Sequence, residues 1–241
     1  GTVPDESELT EAVLNLSVNA FVVEAQAETR ASIPSGTPEK ETPEEKEIHN
    51  IWVFQYDAAT KELLIKPRYY TITDQAMLQD LPVYLKAGVP SVVYVVTNTG
   101  YDNWANDGTD ASWQKFKQLE QLKKQTLPTA FPLRSIDKVS IPMAGASEEV
   151  EVTTGITVTV PVTRMYAKLK VKVEMRKAEM ELNNVNVRQI PNICRVETLA
   201  GDGKGEPMEP VPFPDETTFS SIAFAASDLE KNEDKEWAVF Y

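Results

Sequence analysis

Residues 81–97 read LPVYLKAGVPSVVYVVT. Two apolar runs, Leu81 to Lys86 and Ser91 to Thr97, flank the turn chemistry of Ala87-Gly88-Val89-Pro90. Each run is too short for a typical helix. Both are rich in residues that pack well on a pleated surface, so the stretch predicts strand, turn, strand. Ser91 to Thr97 (SVVYVVT) is the most apolar run in the chain and reads as a central strand.

The same grammar recurs on both sides. Upstream, residues 13–23 (VLNLSVNAFVV) alternate as a strand, and Ile48 to Tyr56 (IHNIWVFQY) reads as a buried one. Asp57 to Lys61 supplies a turn. Leu63 to Ile72 follows as a strand whose Pro67 marks an edge or a bulge. Downstream, Val139 to Met143, Glu149 to Val152 and Ile156 to Val162 are short strands. In Met165 to Met175 (MYAKLKVKVEM), Leu169, Val171 and Val173 alternate with lysines, as in a half-exposed antiparallel strand. Val185 to Ile190, Ile193 to Val196 and Trp237 to Tyr241 complete the series. One helix is expected over 110–125, where Trp113, Phe116, Leu119 and Leu122 recur every three residues behind Asp110 as N-cap. Many short strands and one interposed helix predict an all-β fold of β-sandwich type.

Composition supports a folded chain with an acidic surface. The 241 residues are 41% hydrophobic and 25% charged, with a formal net charge of −13. Residues 1–47 hold 11 acids against 3 bases, and residues 202–236 hold 10 against 3, so the excess sits in Pro- and Glu-rich connections. The main one, 31–47, reads as a solvated acidic linker. A surface this negative repels phosphate backbones, which argues against nucleic acid as a partner. No stretch approaches the ~20 apolar residues of a spanning helix. Gly1 reads as the product of a cleavage, and the strand ending at Tyr241 predicts that the native polypeptide continues beyond it.

Catalytic and metal chemistry finds little support. Cys194 and His49 are the only cysteine and histidine. Each reads as a structural residue, although together they would be the only route to a Cys–His centre. Gly201 to Gly205 (GDGKG) lacks the Lys-Ser/Thr ending of a phosphate loop. Asp102 to Asp110 (DNWANDGTD) fails the calcium-loop pattern: with Gly108 at the glycine position, Ala105 and Gln114 fall where ligands are needed. Asn15-Leu16-Ser17 fits a glycosylation triplet but lies inside a strand. Tyr101 and Trp104 form an aromatic pair on that same acidic loop, a candidate platform for stacking on sugars, with packing beneath the loop as the alternative. No catalytic, cofactor or metal site is expected, and the chain reads as a binding or structural protein.

Several segments, taken in order, resemble the fimbrillin family of major and minor fimbrial subunits from Bacteroidales. They are Ile48 to Asp57 (IHNIWVFQYD), Val92 to Gly100 (VVYVVTNTG), Ile141 to Gly145 (IPMAG), Val160 to Val173 (VPVTRMYAKLKVKV) and Trp237 to Tyr241. The resemblance implies two transthyretin-like β-sandwich domains, here 1–160 and 161–241, the second incomplete at its C-terminus. It implies a lipoprotein precursor exported to the outer membrane, a fimbrial location, and other fimbrial subunits as partners, with a host or bacterial surface ligand for adhesion. The only membrane link would be that lipid anchor. It also implies assembly by donor-strand exchange: an Arg-directed protease cuts after the first strand, which leaves for a neighbour's strand to replace. In this chain the matching cut lies between Arg30 and Ala31. The displaceable strand would carry Val13, Leu14, Leu16, Val18, Phe21 and Val23. A surface carbohydrate-binding adhesin on the same scaffold, using Tyr101 and Trp104, is the rival expectation.

Overall fold

The structure is a computed structural model. It describes residues 6–19, 43–100, 102–109, 111–128, 141–165, 169–174, 183–197, 199–200, 209–210, 213–225, 230–232 and 235–240. In chain order the elements are β1 (Leu9–Val18), β2 (Asn50–Asp57), β3 (Arg68–Thr71), β4 (Leu81–Lys86), β5 (Pro90–Thr97), α1 (Leu119–Lys123), β6 (Thr126–Pro128), β7 (Met143–Ala146), β8 (Val150–Glu151) and β9 (Thr157–Arg164). They continue with β10 (Leu169–Glu174), β11 (Asn184–Pro191), β12 (Ile193–Arg195), β13 (Leu199–Ala200), β14 (Glu209–Pro210), β15 (Phe219–Ala225), β16 (Glu230–Asn232) and β17 (Lys235–Phe240). Among the described residues the fold is all-β with one short α-helix. The chain divides into two compact units, one of Gly1–Gln121 with Ser140–Arg164, the other of Leu122–Val139 with Met165–Tyr241.

The first unit holds an eight-stranded sheet in the order β3-β2-β5-β7-β9-β1-β4, with β8 paired to β5. The two strands of residues 81–97 do not pair with each other. β4 joins β1, whereas β5 lies between β2 and β7, so the turn at Gly88 (φ +73°) carries the chain across the core rather than closing a hairpin. Strand β9 makes the opposite crossing. Its residues Thr157–Val162 run parallel to β1, and its last two, Thr163 and Arg164, pair with β7. The core fills the space so enclosed: Ala12, Leu14 and Leu16 of β1, Val83 and Leu85 of β4, and Val158 and Val160 of β9 face Ile51, Val53, Val93 and Val95.

Strand β2 is buried on both faces, which is why its sequence shows no polar alternation. Ile51 and Val53 enter the main core, while Trp52, Phe54 and Tyr56 turn to a second, aromatic layer. There Phe54 lies 5.3 Å from Phe116 and 6.2 Å from Trp104, ring centre to ring centre. Among the core-facing positions Gln55 is wholly buried. It donates from Nε2 to the Lys86 carbonyl (2.9 Å) and to Ser91 Oγ (2.9 Å), and accepts at Oε1 from Lys86 N (2.7 Å). This amide stitches β2 to β4 across the core where no strand pairing does.

The helix expected over 110–125 is instead a 3-10 turn at Gln114–Phe116 followed by the five-residue α1. Asp110 lies outside the described residues. Tertiary hydrogen bonds take the backbone groups that a continuous helix would use. Tyr56 Oη donates to the Phe116 carbonyl (2.9 Å), Leu63 N to the Lys117 carbonyl (2.9 Å), and Leu119 N to the Lys61 carbonyl (3.0 Å). The apolar spacing still does its work, since Trp113, Phe116, Leu119 and Leu122 are all buried. The acidic linker also differs at its end: Glu44–Lys46 form a 3-10 turn and Glu45 is buried.

The second unit is built of smaller sheets. β17 pairs antiparallel with β10 and β16, β11 with β15, β12 with β6, and β13 with β14. The β11–β15 pairing slips between Val187 and Ile190, at Gln189 with φ +57°. Cys194 is half-buried in β12, with its Sγ 3.7 Å from the Leu127 carbonyl of β6.

Gly145 marks a close approach of two strands in the first unit. A Cβ there would lie 1.8 Å from the Pro161 carbonyl oxygen, so only glycine lets β7 approach β9 at the sheet corner. Gly145→Ala is expected to destabilise the first unit by about 1–3 kcal/mol through forced separation of these strands. Urea unfolding measures it, and an unchanged midpoint would contradict the approach.

Candidate functional site

The N-terminal strand occupies a slot between two neighbours. Along β1, Val13 to Val18 lie beside Thr157 to Val162 of β9, and Leu9 to Leu14 face Lys86 to Leu81 of β4. Period-two alternation sends Ala12, Leu14 and Leu16 inward at 0–2% exposure. Val18 and Leu9 pack against the same cluster. Val13 falls on the opposite face of the strand and is half-buried. The strand also begins earlier than 13, at Leu9, because Leu9 to Ala12 find partners on β4 that their mixed polarity does not advertise. Phe21, Val23, Arg30 and Ala31 lie outside the described residues.

Both ends of the strand are tied by hydrogen bonds. At its start Ala87 N donates to the Glu8 carbonyl (3.2 Å), with Glu8 at φ +65°. Past its end, Asn19 N donates to the Val162 carbonyl (2.9 Å) and Asn19 Nδ2 to Thr163 Oγ1 (3.0 Å). Arg164 Nη1 donates to the Asn19 carbonyl (2.9 Å), and its Nε to the Glu45 carbonyl (3.0 Å).

The chain that returns after the linker has clasps of its own. Gln75 accepts at Oε1 from Ile48 N (2.9 Å) and donates from Nε2 to the Ile48 carbonyl (2.8 Å). Asn98, in left-handed backbone at φ +55° and 5% exposed, accepts from His49 N (2.8 Å) and donates to the carbonyls of Glu47 and Ile141 (both 2.9 Å). Asparagine tolerates that conformation better than other side chains, which gives the Asn-Thr-Gly turn after β5 its physical basis. Asn98 and Arg164 lie in segments that carry the fimbrillin resemblance, but the sequence assigned them no role, and Gln55 and Gln75 were not singled out. Gln55 carried a signal of its own as the polar residue inside an otherwise apolar run.

The other candidates scatter. His49 is half-exposed beside Glu47 (3.4 Å) in the first unit, and Cys194 belongs to the second. Asp107 Oδ1 accepts from Thr109 N (2.9 Å) and Thr109 Oγ1 (2.6 Å), which close the loop on itself and hold the carboxyl below its usual range, the hydroxyl foremost. Among the described residues no group of three or more His, Cys, Asp or Glu is placed to hold a metal ion. Asn15 is half-buried inside β1. Trp104 turns inward, 5.1 Å from Phe116, while Tyr101 lies outside the described residues. A separate cup of about 340 Å³ opens beside that loop, with Trp52 in its wall and Arg68, Tyr70, Tyr84, Asp102 and Asn106 around it.

If β1 sits as described, Leu14→Ala should destabilise the first unit by roughly 2–5 kcal/mol and Val13→Ala by clearly less. Thermal melts of the two variants compare them, and equal losses would place the strand in another register.

No family model and no curated protein matches the chain. Three solved structures similar to it show the range. The tip fimbrial protein of Porphyromonas gingivalis with a C-terminal truncation is 12% identical at a TM-score of 0.47, over 82% of this chain and 64% of that one. The fimbrial anchor protein of the same bacterium is 13% identical at 0.48, over 96% and 72%. A fimbrial assembly protein of Parabacteroides distasonis is 14% identical at 0.40, over 96% and 85%. The chain thus spans less than two thirds of the tip protein's length.

Proposed function

We propose that this chain is a non-enzymatic subunit of a bacterial surface fimbria that assembles by donor-strand exchange. Its own first strand leaves, and a strand from a neighbouring subunit enters the slot. The observation that carries this reading is the placement of β1 between β9 and β4. The strand is internal to the sheet and buries Ala12, Leu14 and Leu16, yet Gln75 and Asn98 secure the returning chain without it. Burial of each leucine is worth about 1.5–3 kcal/mol, so an empty slot with two bare strand edges would take up a replacement strand favourably. The sequence resemblance to fimbrillins supplies the biological setting: export as a lipid-anchored precursor, cleavage between Arg30 and Ala31, and incorporation beside other subunits at the cell surface.

A second reading, a carbohydrate-binding adhesin, draws on the cup rather than on Trp104. Tyr84 is 48% exposed at its rim, and Arg68, Asp102 and Asn106 offer groups for sugar hydroxyls. Tyr84→Ala would abolish binding on a glycan array if this holds.

For the main reading, a chain starting at Ala31 should keep its β-sheet circular-dichroism signal but aggregate through the open slot, and a synthetic peptide of residues 8–19 should restore a soluble monomer. A truncated chain that stays a stable monomer without peptide would sink the proposal.

A further inference from the structure

We infer that Arg164 is the clip that governs how long β1 stays in its slot once the chain is broken between Asn19 and Glu45. The inference rests on the strand-exchange reading and concerns its timing. Arg164 ends β9 at 6% exposure, and it and Glu45 are the buried charged residues among those described. Its guanidinium reaches two carbonyls far apart in sequence, Asn19 at 2.9 Å from Nη1 and Glu45 at 3.0 Å from Nε. Those carbonyls bracket residues 20–44. One planar side chain therefore holds the end of β1 and the start of the returning chain together, a geometry that a lysine's single ammonium reproduces poorly.

The bracket changes meaning when the chain is cut. While residues 20–44 are continuous, the bond to Asn19 merely supplements a covalent link. After a cut, that bond is a direct hold between the departing strand and the body that remains. Three consecutive residues of β9 then grip Asn19, through the Val162 carbonyl, the Thr163 hydroxyl and the Arg164 guanidinium. The bond from Arg164 is the charge-assisted one and the strongest of the set. Glu45 is less dependent on it, because Asn98 and Gln75 fix Glu47 and Ile48 next to it. Loss of Arg164 should thus loosen the outgoing strand selectively.

The test replaces residues 33–38 with the recognition sequence of a site-specific protease, cuts the folded chain there, and follows release of a dye-labelled N-terminal fragment against excess unlabelled 8–19 peptide. Arg164→Gln is expected to release the fragment about tenfold faster than the parent. Arg164→Lys should fall between them, and Thr163→Val should show a smaller acceleration. The uncut Arg164→Lys chain should melt within a few degrees of the parent. Parent-like release from the Arg164→Gln and Arg164→Lys chains would overturn the inference. So would an Arg164→Gln chain that cannot fold combined with parent-like release from Thr163→Val, since Arg164 would then serve the fold alone. Uptake of labelled 8–19 peptide by the emptied slot is scored separately, and its absence would count against strand exchange without altering the comparison of release rates.

Discussion

Among the described residues, strand β4 reaches the main hydrogen-bond ladder only through β1. Everything on that side of the first unit depends on this arrangement. β1 is paired on both edges and supplies the central apolar row of its layer, between Val158 and Val160 of β9 and Leu81 and Val83 of β4. Removing it would cut β4 from the ladder and open the core along its length. What would still hold β4 is the Gln55 amide, which engages both backbone groups of Lys86, and the Tyr70 hydroxyl, which accepts from Tyr84 N at 3.2 Å. The far wall of the slot is therefore kept in place by side chains, not by strand pairing.

A division of labour follows between apolar and polar residues. Leucine and valine rows provide the driving force for closing the sheet, but they are non-directional and would tolerate many arrangements. Direction comes from a few side-chain amides, Gln55 and Asn98 buried and Gln75 exposed, and one buried guanidinium. Gln55 sets the distance between β2 and β4, Gln75 and Asn98 fix where the chain returns after the linker, and Arg164 joins that return to the end of β1. Gln55, Asn98 and Arg164 are buried groups, costly when left unpaired, so each constrains the backbone that satisfies it.

These features give the strand-exchange reading its physical content. A strand that can leave must be bound strongly enough to complete a folded monomer, yet its departure must not unravel the rest. The clasps on the returning chain meet the second requirement. The alternating inward row of Ala12, Leu14 and Leu16 meets the first, and a replacement strand would need only a similar row, with backbone pairing supplying the remainder.

The amino-acid sequence by itself determined the fold class and much of the strand set, because period-two alternation and short β-branched runs between turn residues are local signals. It also marked Ile48 to Tyr56 and Ser91 to Thr97 as buried strands, since continuous apolar runs have few alternatives. It misread the helix region because the carbonyls of Phe116 and Lys117 are taken by Tyr56 and Leu63, partners more than fifty residues away that no local pattern reveals. It started β1 too late because Thr10 and Glu11 look like loop until β4 is beside them. Tertiary structure alone decided that residues 81–97 span the core instead of forming a hairpin, that Val13 points away from it, and that Arg164 brackets the linker. Each of these depends on which distant segments share an edge, and pairing between distant strands is settled by the closing of the whole sheet, not by the residues of either strand.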